Sequence, residues 1–212
     1  MKLLLVAATA PEIQPLLSAF KINSESETTN IGKHSANVLI TGAGMVPTAY
    51  AMGKHLTMQT YDLAINIGIA GSFDFNLELG EVCLVKTDTF AELGAEDGDE
   101  FISFDHLGLG ISSQVSHPHP GLATGGLREV NAITVNKVHG NEFSIAKAIA
   151  RFSPQIESME GAAFLYACEQ CGIPGIQIRA ISNYVERRNH EKWNIGLAVK
   201  NLNETIIDLL EK

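Results

Sequence analysis

With 212 residues, 15 basic against 24 acidic side chains and a formal charge of −9, the chain carries no electrostatic footprint for nucleic acid. The same acidic balance argues against an anionic membrane surface as partner. Apolar residues near 45% and charged ones near 18% fit one globular domain spanning 1–212, long enough to hold a recessed pocket for a small molecule.

Met1-Lys2-Leu3-Leu4-Leu5-Val6 has one positive charge and a very short apolar run, with Pro11-Glu12 soon after. It reads as a buried strand over 3–8 rather than a leader. No stretch approaches a membrane span, and a cytoplasmic location is expected. Pro11 opens a helix as a tolerated early residue. A second strand is expected over 36–41, closed by Gly42-Ala43-Gly44 and followed by a helix over about 48–58. Apolar strands follow over 63–68 and 81–88. Residues 90–126 read as one long irregular stretch, with an acidic run at 92–100 and then His117-Pro118-His119-Pro120-Gly121. A loop of that length is usually functional or flexible, fit to close over a ligand or meet a partner subunit. Beyond it come a short strand over 132–136, a helix over 144–152, a brief strand over 155–158, a helix over 160–171 and a strand over 175–181. An amphipathic helix over 189–211 closes the chain, with Trp193, Leu197, Leu202, Ile206 and Leu210 near helical spacing. Strands alternating with helices predict an α/β fold, a single domain whose mainly parallel twisted central sheet is flanked by helices.

Cys168 and Cys171 form a CxxC, but a second pair is missing and the motif lies in a helical run. Two packed helix cysteines are expected, not a zinc or redox site. Gly42-Ala43-Gly44 stands between strand and helix as in a dinucleotide turn. Position 47 is a proline, the third glycine is absent and no acidic residue ends the next strand, so no nicotinamide cofactor is expected. These glycines, with Gly68-Ile69-Ala70-Gly71 at the end of the third core strand, would let backbone approach a ligand closely. Open α/β sheets bind ligands at such carboxyl ends. Three further strand ends carry polar residues: Thr9 and Glu12, Glu157 through Gly161, and Ser182-Asn183. Each has a plain alternative, because Glu12 and Glu160 suit the first turn of a helix and Asn183 suits a turn. Arg179, flanked by Ile178 and Ile181, would be a charge in a buried strand unless paired, and Glu12 or Glu160 could supply the pair.

At these residues the chain resembles the nucleoside phosphorylase/nucleosidase superfamily. It is similar in layout to the methylthioadenosine/S-adenosylhomocysteine nucleosidases and resembles the futalosine hydrolases most closely. The motifs that carry this are Glu157-Ser158-Met159-Glu160-Gly161-Ala162-Ala163 and Arg179-Ala180-Ile181-Ser182-Asn183-Tyr184-Val185-Glu186, with Glu12 and Gly68-Ile69-Ala70-Gly71 in support. The resemblance implies a nucleoside phosphorylase-like fold, a purine nucleoside as substrate, no cofactor and no metal, and a homodimer or higher homo-oligomer. It implies Glu12 as the general base that activates water, with Arg179 nearby. Glu160 would accept from the ribose 2′- and 3′-hydroxyls beside Met159, and residue 183 would address the purine N7. Ile69, Ala70, Gly71 and Val138 fall among the implied substrate contacts. Glycoside cleavage passes through an oxocarbenium-like state, and a carboxylate under the ribose would stabilise its positive charge.

Two departures from the methylthioadenosine pattern bear on substrate. That family carries an aspartate where this chain has Asn183, and an amide cannot deliver a proton to N7. Its NH₂ can still donate to N7 or O6 of a 6-oxopurine, and hypoxanthine leaves more readily as an anion. Asn183 therefore favours a 6-oxopurine. Ile69 stands where the related family has a serine and where phosphorylases bind phosphate through hydroxyls, so water is the expected nucleophile. Futalosine hydrolysis, as the resemblance implies, releases hypoxanthine and a dehypoxanthine product on an alternative route to menaquinone. The carboxylate on the substrate's 5′ tail would meet one of Lys137, His139, Arg187 and Arg188. Competing readings are a purine nucleoside phosphorylase, a methylthioadenosine-type nucleosidase, and a non-catalytic nucleoside-binding protein on the same fold. The presence of Glu12, Glu160 and Arg179 together argues against the last.

Overall fold

A computed structural model describes residues 1–24 and 27–211. The apolar N-terminal run forms β1 (Lys2–Ala7), followed by α1 (Ala10–Ala19) and the antiparallel pair β2 (Thr29–Ile31) and β3 (His34–Ile40). Helix α2 (Met45–Leu56) starts ahead of the expected 48, because Gly44 at φ +98° turns the chain and caps it. Pro47 then falls in the first turn, where a missing N–H costs little. After it come β4 (Leu63–Ser72), β5 (Val82–Phe90), the hairpin β6 (Gly94–Asp97) and β7 (Glu100–Ser103), β8 (Ser113–Val115) and β9 (Arg128–Thr134). The chain ends through α3 (Glu142–Phe152), β10 (Ile156–Ser158), α4 (Gly161–Gln170), β11 (Gly175–Tyr184) and α5 (Ile195–Glu211).

The main sheet runs β2-β3-β1-β4-β11-β5-β9-β10, with β8 on β5. Pairs β1–β3, β1–β4, β4–β11, β5–β9 and β9–β10 are parallel. Pairs β2–β3, β5–β11, β5–β8 and β4–β10 are antiparallel. The sheet is therefore mixed, which corrects the mainly parallel sheet expected from the alternation of elements. The cause is local: the link over 73–81 is shorter than the dozen or so residues a parallel crossover needs, so β5 returns antiparallel. Because β10 pairs with both β9 and β4, five strands close into a ring.

Alternate residues of β1 explain its unbroken apolar run, since both faces are covered. Leu3, Leu5 and Ala7 join Ile65, Ile67, Ile176 and Ile178 in the core shared with Ile13 and Leu16 of α1 and Ala198, Leu202, Ile206 and Leu210 of α5. Leu4, Val6 and Ala64 meet Met52 and Leu56 of α2 and Phe164 and Leu165 of α4.

Other expectations also shift. β4 and β11 run on past 68 and 181 to pair Asn183 with Gly71 and Tyr184 with Ser72, through an irregularity between Ile181 and Asn183. Gly68 thus lies inside a strand, not at its end. The stretch 90–126 holds a hairpin turned by Gly98, at φ +62°, and the edge strand β8. Acidic side chains at 96, 97, 99 and 100 conceal the hairpin's alternation. The last helix does not begin at 189: a 3₁₀ turn at His190–Lys192 precedes an extended Trp193, and α5 starts at Ile195. Its buried stripe is Ala198, Leu202, Ile206 and Leu210, without Trp193. Cys168 is buried but Cys171 is exposed at the end of α4, so only one of the CxxC thiols is packed. Among the described residues, no helix is long and apolar enough to cross a membrane.

Candidate active site

A cavity of about 570 Å³ opens between the first turn of α1, the ends of β4, β10 and β11, and the segment 138–140. Glu12, Ile69, Ala70, Gly71, Val138, Met159, Glu160 and Asn183 all line it. Arg179 does not.

Glu12 occupies the third position of α1, where its carboxylate closes a capping box with Thr9. Oε2 accepts from the Thr9 N–H at 3.0 Å and the Thr9 hydroxyl at 2.8 Å, and Oε1 from the Ile69 N–H at 3.3 Å. The helix-start role that the sequence offered as an alternative is thus real, and the carboxylate lines the cavity as well. Its backbone is held from α5. Asn203, 1% exposed, donates to the Glu12 carbonyl at 2.8 Å and accepts from the Leu16 N–H at 3.0 Å. An uninterrupted helix pairs those two groups with each other; Pro15 lies between them, and the Asn203 amide bridges the gap.

Glu160 caps α4 and is 7% exposed. Its Oε1 accepts from the Gly44 N–H at 2.8 Å. The Gly42-Ala43-Gly44 turn therefore brings a main-chain donor to a carboxylate, and Ala43 lines the cavity. The next residue must be small: a Cβ on Gly161 would strike Asp88 and Gln177.

Arg179 lies beneath the cavity, 1% exposed. Neither Glu12 nor Glu160 forms an ion pair with it, which corrects the expected pairing. Its Nη2 donates to Asn66 Oδ1 and, at 3.4 Å, to Gln177 Oε1. Nη1 fills the space beside Gly68, where a Cβ would overlap it and would lie 3.1 Å from Glu12 Oε1. Gly68 thus makes room for a guanidinium rather than a ligand. The chain of contacts continues: Gln177 Nε2 donates to Asp88 Oδ2 at 3.0 Å, Thr134 Oγ1 to Asp88 Oδ1 at 2.8 Å, and the Ala162 N–H of α4 to Thr134 Oγ1 at 2.8 Å. Burial pushes the Asp88 carboxyl up to about 6, against the hydrogen bonds of Gln177 and Thr134 and the charge of Arg179. Sequence reading missed Asn66, Asp88, Thr134 and Gln177, whose only local signal is a polar side chain inside an apolar strand.

Asn183 is half-buried at the irregularity in β11. Its carbonyl accepts from the Ser182 hydroxyl at 2.8 Å and its amide donates to the Tyr184 carbonyl at 3.0 Å. One amide N–H remains. Of the four candidate tail cations, His139 and Arg188 line the cavity and Lys137 and Arg187 do not. Arg188 stacks over Trp193 at 5.1 Å, and Trp193 is itself part of the wall. Among the described residues, no group of three His, Cys, Asp or Glu side chains is placed to hold a metal ion.

No family profile matches the chain. The futalosine hydrolase of Thermus thermophilus is 31% identical over 179 residues, covering 81% of this chain and 80% of that one. This chain belongs to the futalosine hydrolase family. A second futalosine hydrolase, from Acidothermus cellulolyticus, is 28% identical and covers 79% and 72% of the two chains. The futalosine hydrolase fold seen here is shared with solved nucleosidases. The methylthioadenosine/S-adenosylhomocysteine nucleosidase of Colwellia psychrerythraea, in complex with adenine, superimposes with a TM-score of 0.81 at 20% identity over 99% of this chain and 94% of that one. That of Neisseria meningitidis, with methylthio-immucillin-A, gives 0.81 at 15% identity over 99% and 98%.

Proposed function

We propose that this protein hydrolyses the N-glycosidic bond of futalosine and releases hypoxanthine, on the route to menaquinone that its resemblance implies, in one domain spanning 1–212. The observation that carries the reading is that Glu12, Glu160 and Asn183, from three distant segments, line one cavity. In this reading Glu12 takes a proton from water as the oxygen attacks the anomeric carbon. Its capping donors hold the carboxylate in a fixed direction, as a general base requires. The C–N bond breaks with its electron pair on the purine, and positive charge develops on the ribose. Glu160 accepts from the ribose hydroxyls beside Met159 and balances that charge in a recessed site. The remaining amide N–H of Asn183 addresses N7 or O6, and Val138, Ala70 and Gly71 border the base. Arg179 acts from beneath, through its positive potential rather than by contact. At the mouth, Arg188 takes the tail carboxylate.

Ile69 supports water as nucleophile, since the wall there offers an apolar side chain and its own N–H is given to Glu12. The proposed setting is a cytoplasmic homo-oligomer acting on a small nucleoside, with neither nucleic acid nor membrane as partner. A second, apolar cavity of about 510 Å³ lined by Met45, Phe90, Leu93, Leu109, Ile111 and Tyr166 supports association between copies.

The reading is tested by offering futalosine, aminofutalosine, methylthioadenosine and inosine, with and without phosphate, and following released base and sugar product. Hypoxanthine should leave futalosine fastest, at a rate independent of phosphate and with a free anomeric hydroxyl. A ribose 1-phosphate product would replace the reading with a phosphorylase, and no turnover of any member with a nucleoside-binding protein.

A further inference from the structure

The cavity holds an acid–imidazole pair that the cleavage chemistry above does not use. Glu157 stands in β10 opposite Gly71 of β4 and is 4% exposed. Its Oε1 accepts from the His139 N–H at 3.0 Å, and its Oε2 lies 2.5 Å from His139 Nδ1. A carboxylate only accepts there, so Nδ1 carries the hydrogen. His139 is steadied in turn by Phe73, edge-on at 5.9 Å between ring centroids.

This clamp fixes the direction of the carboxylate without exhausting it. Two oxygens offer about four acceptor positions, and His139 fills one on each. Both residues line the cavity. A buried carboxylate left short of donors is costly, which makes the site one that rewards a donor from the substrate. Asn183 is its neighbour. A Cβ on Gly71 would lie 3.2 Å from Asn183 Nδ2 and 3.7 Å from Glu157 Cγ, so a donor amide and an acceptor carboxylate flank one bare backbone position.

The edges of the two purine types distinguish between such partners. A 6-oxopurine presents an N1–H donor next to its O6 acceptor, with N7 beyond. A 6-aminopurine reverses the pattern, with an acceptor at N1 and a donor amino group at position 6. We infer that Glu157, held in place by His139, accepts the N1–H of a 6-oxopurine and sets the selection against 6-aminopurines, with Asn183 donating to O6 or N7. This rests on the nucleosidase reading above. It adds a residue to it, because the oxo/amino choice then depends on a carboxylate opposite N1 as well as on the amide at position 183. A site built around a substrate hydrogen bond rejects the analogue that lacks it by large factors.

Two measurements test this. With the unaltered protein, dissociation constants for hypoxanthine, 1-methylhypoxanthine and adenine are obtained by calorimetry. Hypoxanthine should bind at least roughly 10²-fold more tightly than either of the others, the scale of a missing hydrogen bond to a charged group. Turnover of futalosine and its 6-amino counterpart is then compared in the parent and in Glu157→Gln. The substitution should cut kcat/KM for the 6-oxo substrate by roughly 10²-fold and bring the two substrates within about tenfold of each other. If 1-methylhypoxanthine binds the parent as tightly as hypoxanthine, Glu157 does not read N1. A folded Glu157→Gln enzyme that keeps the full 6-oxo preference likewise removes Glu157 from the selection, and the nucleosidase reading stands in both cases. Should the parent release base from neither nucleoside, the nucleosidase reading falls and takes this inference with it.

Discussion

Three of the carboxylates at or beneath the cavity do different work because their surroundings differ. Glu12 and Glu160 line it, each with an oxygen tied by main-chain donors. Replacing Glu160 by Gln keeps shape and removes charge, and should lower turnover by roughly 10²-fold or more with the fold intact. Glu12→Gln should remove roughly 10²- to 10⁴-fold while a substrate analogue still binds. Single-turnover rates together with analogue titration separate chemistry from binding. Asp88 is the third, sealed beneath the site. Its carboxyl titrates near 6 in the fold against an ordinary 3.8, so protonation favours the folded state. That contribution is fully present below about pH 4 and is lost as pH rises through about 6. The displacement from 3.8 to about 6 corresponds to about 3 kcal/mol. The unfolding free energy of the parent minus that of Asp88→Asn should fall by about that amount between pH 4 and 7; a flat difference would show that Asp88 is not the titrating group.

Among the elements, α1 depends on α5 more than its sequence suggests. Pro15 leaves the helix without one N–H, and Asn203 bridges the turn that carries Glu12. Asn203→Ala should cost about 1–3 kcal/mol for each buried group left unpaired. It should lower kcat more than it raises KM, since Glu12 loses its support. Adding Pro15→Ala lets the helix complete its own ladder, so the pair should recover part of the lost stability in a double-mutant cycle. Strict additivity in denaturant unfolding would argue against the bridge. The same dependence explains why no single element forms the site. Arg179 fits only because β4 has glycine at 68, and Asp88 meets Gln177 only because α4 has glycine at 161.

For the whole molecule, the proposed association of copies rests on an apolar face apart from the candidate site. Val46, Leu109 and Ile111 are each more than 60% exposed around the second cavity, with Tyr166 at its edge, a grouping that monomers rarely leave to water. Sedimentation should give a homodimer or higher assembly, and Ile111→Glu should shift it toward monomer. A parent that sediments as a monomer at micromolar concentration would remove this part of the proposal.

Periodicity and punctuation alone placed most of the elements, because apolar runs such as 3–7, and 63–67 with Asn66 as its one polar member, suit strands covered on both faces. Local motifs also pointed to Glu12, Met159, Glu160, Asn183 and the 69–71 segment: Glu12 stands in the first turn of α1 and Met159 and Glu160 between β10 and α4, whereas 69–71 and Asn183 lie inside β4 and β11. What tertiary structure decided is everything that depends on partners distant in sequence. Strand direction in the sheet followed from a short link and from β10 meeting two neighbours, which no period records. The surroundings of Arg179 are neutral amides from β4 and β11 instead of the expected carboxylates, because burial selects whichever polar groups the register brings within reach. Glu157 and His139 are 18 residues apart, and nothing in either segment announces the pair. Their contact exists only because β10 closes the ring and draws segment 138–140 against it.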